Sequence, residues 1–210
     1  MSNITVGLAD ASQYDELMEV LDASFSFEKE HDRFLSLLPK LYRKEYRPWE
    51  NNICVFEDGK IRAAVGLYYA KYHVCGDILT YGGIGNVGVL PESRGNGYMK
   101  LALNAAVEKM IHDGIDFGVL DGQRQRYRYF GFDNAGACYV YRVTKTNLRH
   151  AYGAERKTGV RVAAVTASDQ KVLDYIYSCN LARDMYTERD RATLYDLLLS
   201  WRATPYQLLY

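Results

Sequence analysis

The sequence predicts an α/β domain with a mixed, mostly antiparallel sheet flanked by helices, and three features carry that prediction. Apolar, tyrosine-rich segments at residues 53–57, 61–74 and 78–89 are joined by Asp58-Gly59 and Gly76-Asp77, two-residue hairpin chemistry that makes an antiparallel meander. Residues 97–113 read as a helix whose polar positions Lys100, Asn104, Glu108 and His112 form one narrow stripe, so most of its circumference is buried. The short apolar run at residues 117–120 then follows as a strand parallel to the one before the helix, closing a right-handed βαβ unit.

The remaining elements fall in order around this centre. Residues 4–8 form a short strand, and Asp10 or Ser12 opens an acidic helix with Tyr14, Leu17, Met18 and Leu21 on one face. A second helix over residues 31–46 places Phe34, Leu37, Leu38 and Leu41 together before Pro48 ends it. Gly114 caps the buried helix, and residues 139–143 form another strand. Residues 1–146 are thus one domain, and the polar stretch 147–159 reads as a linker. Residues 160–210 form a strand-helix-helix-strand extension: strand 160–165, helix 168–179, a helix from Glu188 behind a Thr187/Asp190 capping box, and strand 206–210. Its order repeats the opening of the chain, which fits either the start of a second unit of the same kind or a helical appendage packed on the first domain.

Composition narrows the function. The 210 residues are 48% hydrophobic and 25% charged, enough apolar content for a packed core. The 26 basic residues balance 26 acidic ones, so bulk charge attracts neither nucleic acid nor an anionic membrane, and any polyanion site is local. No apolar run of membrane-spanning length occurs, and the N-terminus lacks a basic segment followed by an apolar one, so a cytoplasmic protein is expected. Cys54, Cys75, Cys138 and Cys179 are scattered without metal-ligand spacing, which predicts reduced, mostly buried thiols and no metal site. An unpaired C-terminal strand and an exposed apolar face from Leu194 to Trp201 would favour a homo-oligomer.

The stretch from Val87 through Gly88, Val89, Pro91, Arg94, Gly95, Asn96, Gly97 and Tyr98 to Met99 carries the chemistry. A strand stopped by proline, a turn with two glycines and a helix start bring unpaired amides together at the positive end of the helix dipole. Gly95 and Gly97 let a diphosphate approach the backbone, and Arg94 adds a charge-assisted bond. A nucleoside-triphosphate P-loop is excluded because Tyr98-Met99 follow Gly97 where Lys-Ser/Thr is required. A Gly-x-Gly-x-x-Gly does occur at residues 83–88, but Val89-Leu90-Pro91 follows it in place of a helix, against a dinucleotide fold.

This motif, with its Arg94-Gly95-x-Gly97 core after a strand and Pro91, resembles the acetyl-CoA motif of the GCN5-related N-acetyltransferase (GNAT) family. Met99 stands where the family carries a small residue. The element order over residues 3–145 is also similar to that fold, and the resemblance implies that strands 78–89 and 117–120 splay to admit the pantetheine arm. A second motif, Tyr127-x-x-x-Gly131-Phe132, is similar to the family's Tyr-x-x-x-Gly-Phe, which implies that Tyr127 protonates the departing thiolate, with Tyr129 as competitor. Gln123 to Tyr127 resembles the branch related to the enhanced-intracellular-survival acetyltransferases.

The resemblance implies acetyl-CoA as co-substrate and direct attack by a primary amine, on a small molecule or a lysine. Backbone donors of Val87, Gly88 and Val89 would stabilise the oxyanion. The candidate general bases are Asp121, Glu28 and Glu30. Arg124, Arg126 and Arg128 form either a 3'-phosphate contact or a solvated charged turn. The alternative reading is a non-catalytic acyl-CoA-binding module.

Overall fold

The computed structural model describes residues 2–25, 34–136, 142–153 and 163–199. Its strands are β1 (Ile4–Leu8), β2 (Asn52–Glu57), β3 (Lys60–Val74), β4 (Asp77–Val89), β5 (Phe117–Leu120) and β6 (Met185–Thr187). Its α-helices are α1 (Tyr14–Phe25), α2 (Phe34–Leu37), α3 (Pro39–Tyr42), α4 (Tyr98–His112), α5 (Arg124–Tyr127), α6 (Lys145–Tyr152), α7 (Gln170–Leu181) and α8 (Leu194–Leu199). The sheet runs β1-β2-β3-β4-β5, with β6 added on β3. Only the β4–β5 pair is parallel, as the crossover argument requires.

Two apolar layers cover the sheet. On one side Leu17, Val20 and Leu21 of α1 pack with Phe34, Tyr42, Cys54, Ile61 and Ala64. On the other, Ala102, Leu103, Ala106 and Met110 of α4 pack on Ile53, Val55, Ala63, Val65 and Leu67. Ile61 and Ala63 are two residues apart yet face opposite layers, because Val55 opposes Ala63 while Phe56 opposes Ile61, leaving Arg62 bulged out of the register.

Several expected elements differ in the structure, each for a local reason. The helix expected over residues 31–46 is two short helices within its described part, broken where Leu38 leaves helical geometry ahead of Pro39. The second hairpin turns on Cys75 and Gly76, both at positive φ, one residue earlier than Gly76-Asp77. The stretch read as linker begins inside α6, which Thr144 and Asn147 open with a reciprocal capping box. In the extension α7 forms, shifted by two residues, while α8 starts only at Leu194. The Thr187/Asp190 capping box is absent: Thr187 lies in β6, and Asp190 accepts the Ala192 amide.

β6 takes the edge of β3 beyond the end of β2. Tyr72, His73 and Val74 pair with Thr187, Tyr186 and Met185, and the His73 and Tyr186 rings stack at 4.4 Å. Arg43, directly after α3, also bonds Asp196 of α8 at 2.6 Å. Leu194 is buried, so the apolar face expected to be exposed from this residue onward is covered at its first position. Cys54 is buried, but Cys75 and Cys179 are exposed, against the expectation of mostly buried thiols. The expected strand 206–210, Trp201, Cys138 and most of strands 139–143 and 160–165 lie outside the described residues; Arg142 and Val143 are not in a strand.

Candidate active site

Strand β4 loses its neighbour halfway along. Its pairing with β5 stops at Ile84 opposite Leu120, while β4 continues to Val89. A bulge follows at once: Gly66 opposes Gly85 but Ala64 opposes Gly88, and Asn86 sits in the left-handed region at φ 40°. Buried polar contacts hold that kink. Asn86 Nδ2 donates to Asn52 Oδ1 at 2.8 Å, and Asn52 Nδ2 donates to the Pro48 carbonyl at 2.7 Å. The Tyr42 and Tyr68 hydroxyls also reach Asn52, and burial pushes Tyr68 up to about 12, keeping the network neutral. Beyond Ile84 the β4 edge is therefore no longer paired with β5, which itself ends at Leu120.

The turn that follows has the geometry of an anion site. Gly95 and Gly97 have φ of +89° and +80°, and a Cβ at either would meet nothing within 4 Å. Gly97 is the N-cap of α4, and no side chain caps the helix. The helix's first bonds run from the Lys100 and Leu101 amides to the Gly97 carbonyl at 3.0 and 3.1 Å, so the Tyr98 and Met99 amides precede the ladder. The first turn of α4 carries no acidic residue to neutralise the dipole. Tyr98 itself points the other way: its ring is buried under α4, its hydroxyl bonds Glu57, and burial raises that hydroxyl above its ordinary value. The turn offers Tyr98's backbone, and the core takes its side chain.

A cleft of about 770 Å³ runs along this edge, lined by Val87, Gly88, Val89, Arg94, Gly95, Gly97, Tyr98 and Met99 from the expected set. Asn96 is exposed and does not line it. Ser24 and Phe25 at the end of α1, together with Ser93, Lys100 and Arg126, complete the wall. Among the described residues its wall carries three cations, Arg94, Lys100 and Arg126, and no carboxylate, a local positive field in a chain of zero net charge. Of these additional residues, Arg126 is among the sequence candidates; Ser24 carries no sequence signal, because its approach depends on the lack of a side chain at Gly88. A Cβ there would sit 2.8 Å from Ser24 Cβ.

The second motif is less directly placed. Tyr127 is half-buried, its ring covers Gly122, and it lines a small cavity of about 30 Å³ with Leu120 and Phe132. Its neighbour Arg126, and not Tyr127, lines the cleft. Tyr129, the competing candidate, is 90% exposed. Arg124 is engaged by Asp133, with Nη2 donating to Oδ2 at 2.9 Å, and Arg128 is exposed. Asp121 is exposed just beyond β5, and Glu28 and Glu30 lie outside the described residues. Among the described residues no three His, Cys, Asp or Glu side chains cluster as a metal site, and no helix is long and apolar enough to cross a membrane.

A parallel pair that ends partway along β4, a bulged central strand and a glycine turn before a buried helix are the features of an acyl-CoA-binding α/β domain. The chain belongs to the GNAT family: the acetyltransferase (GNAT) domain matches residues 5–135. Domains of this class transfer an acetyl group from acetyl-CoA. Among solved structures, a GCN5-related N-acetyltransferase from Kribbella flavida is 17% identical, covering 94% of this chain and 50% of its own, with a TM-score of 0.61. A conserved protein of Enterococcus faecalis is 15% identical over 99% of this chain and 51% of its own, at 0.68. A GNAT family acetyltransferase from Brucella melitensis in complex with acetyl-CoA is 20% identical, over 63% and 84%, at 0.51. These likenesses show the fold, and the chain spans about half the length of the first two. No curated protein sequence matches the chain.

Proposed function

We propose that this chain binds acetyl-CoA on the turn before α4 and transfers the acetyl group directly to a primary amine, on a small molecule or a lysine side chain. The observation that carries the reading is the uncapped start of α4, with Gly95 and Gly97 in left-handed geometry beside three cations. Backbone amides of the turn and Arg94 hold the diphosphate, and the open edge of β4 takes the arm that leads to the thioester. Donors along Val87, Gly88 and Val89 stabilise the charge that develops on the acyl oxygen.

Two proton transfers accompany the exchange. An alkyl amine of pKa about 10 must lose a proton to attack, and a thiolate of pKa about 8.5 departs more readily when protonated. Tyr127 is proposed as the acid, because its ring stands on Gly122 directly after β5, one residue from Arg126 in the cleft wall. Asp121, at the same strand end, is the candidate base.

The second reading, a non-catalytic acyl-CoA-binding module, draws on Tyr127 lining a cavity separate from the cleft. Thiol release from acetyl-CoA over a panel of amines distinguishes them: turnover with any amine supports the transferase, and binding without turnover supports the module. We place the acetyl-CoA site in residues 1–146 and treat 160–210 as an extension, with the matched domain ending at residue 135 inside the first part. A cytoplasmic setting belongs to the same reading, since the exposed thiols Cys75 and Cys179 are free.

A further inference from the structure

The end of α1 contributes a hydroxyl that the mechanism above does not use. Ser24 Oγ is buried and has no hydrogen-bond partner among the described residues, a costly arrangement for a polar atom that water cannot reach. Its residue lines the cleft, beside Gly88 on the stretch of β4 that β5 has left. The contact is close: a Cβ on Gly88 would lie 3.0 Å from Ser24 Oγ and 3.2 Å from the Phe25 ring. Two ties fix this end of α1 against the sheet. Asp22 accepts the Phe34 amide, and the Phe25 and Phe34 rings meet at 5.1 Å. The seryl Cα is thereby held while its hydroxyl keeps the freedom of a side chain with three staggered rotamers.

We propose that Ser24 is an acyl-recognising residue: its hydroxyl turns from Gly88 into the cleft and donates a hydrogen bond to the carbonyl oxygen of the acetyl thioester. The inference rests on the acetyl-CoA reading given above. The thioester arm is taken to follow residues 85–89, because there the strand is past its pairing with β5 and borders the cleft, and among the described residues of the α1 layer Ser24 is the hydroxyl that lines it. A carbonyl oxygen gives Oγ an acceptor where the described residues supply none. The bond would act alongside the strand amides on the oxygen that gains charge, and coenzyme A, which lacks that oxygen, would not form it.

Titration calorimetry with acetyl-CoA and with coenzyme A tests this on wild type, Ser24→Ala and Ser24→Cys, the last replacing the hydroxyl by a somewhat larger and weaker donor. Wild type should prefer acetyl-CoA by about tenfold, and both variants should lose that preference at unchanged coenzyme A affinity. Free Ser24→Ala should also melt about 2–4 °C higher, because it removes the orphaned hydroxyl. An unchanged acetyl-CoA preference in both variants, or none in wild type, overturns the assignment. Absence of coenzyme A binding by wild type would instead refute the acetyl-CoA reading itself.

Discussion

Gly97→Ala and Gly114→Ala impose the same backbone penalty at opposite ends of α4, and only one of them touches the cleft. The two glycines hold φ at +80° and +69°, and a Cβ at either meets nothing within 4 Å, so neither substitution creates an internal clash. Each should therefore cost about 1–2 kcal/mol of folding stability through left-handed strain, read as a lower denaturation midpoint at unchanged slope. Gly97 also lines the cleft, where a methyl would hold a phosphate oxygen away from the amides of the turn. Loss of one hydrogen bond to a charged group costs about 1.5–3 kcal/mol, which is roughly 10- to 150-fold in affinity. Titration calorimetry with coenzyme A should show that loss for Gly97→Ala and wild-type affinity for Gly114→Ala. Equal affinities in the two variants would refute the placement of the diphosphate.

Tyr127→Phe should lower turnover ~10- to 1,000-fold with little change in acetyl-CoA affinity; steady-state kinetics that keep the wild-type rate remove Tyr127 as the acid. Arg124 and then the Asn134 amide hold Asp133 down to about 2, below an unfolded value of about 3.9, so the pair stabilises above the unfolded value and fades as pH falls through the folded one. The stability difference between wild type and Asp133→Asn should thus be flat above about pH 5 and shrink steadily toward pH 2, whereas a difference independent of pH contradicts the pairing. Burial pushes the Cys54 thiol up to about 12, so native protein treated with iodoacetamide at pH 8 should label Cys75 and Cys179 and spare Cys54, as peptide mass mapping can check.

The parts of this fold that were legible in the sequence are those that a few neighbouring residues dictate. Asp58-Gly59 made the first hairpin plain, and the proline, glycines and helix start between Pro91 and Met99 made the turn before α4 plain, because each acts on its own backbone. The same logic was available, and missed, at Pro39, which divides the second helix, and at the Thr144/Asn147 capping box that opens α6. β6 was out of reach for a different reason. Its three residues gain strand geometry from the free edge of β3, more than 100 positions away, and from the ring of His73. The cleft wall at Ser24 is equally non-local, set by how near α1 approaches Gly88. Tyr127 shows the limit of motif spacing: Gly131-Phe132 identified the residue, but the ring's seat on Gly122 depends on a turn that the pattern does not specify.

The most direct test of the whole account is an electron-density map of the protein with coenzyme A. Diphosphate oxygens should lie within about 2.7–3.2 Å of amide nitrogens in the segment from Gly95 to Met99, with the arm entering between β4 and β5. Density for the diphosphate anywhere else on the chain, with those amides turned to solvent, would contradict it.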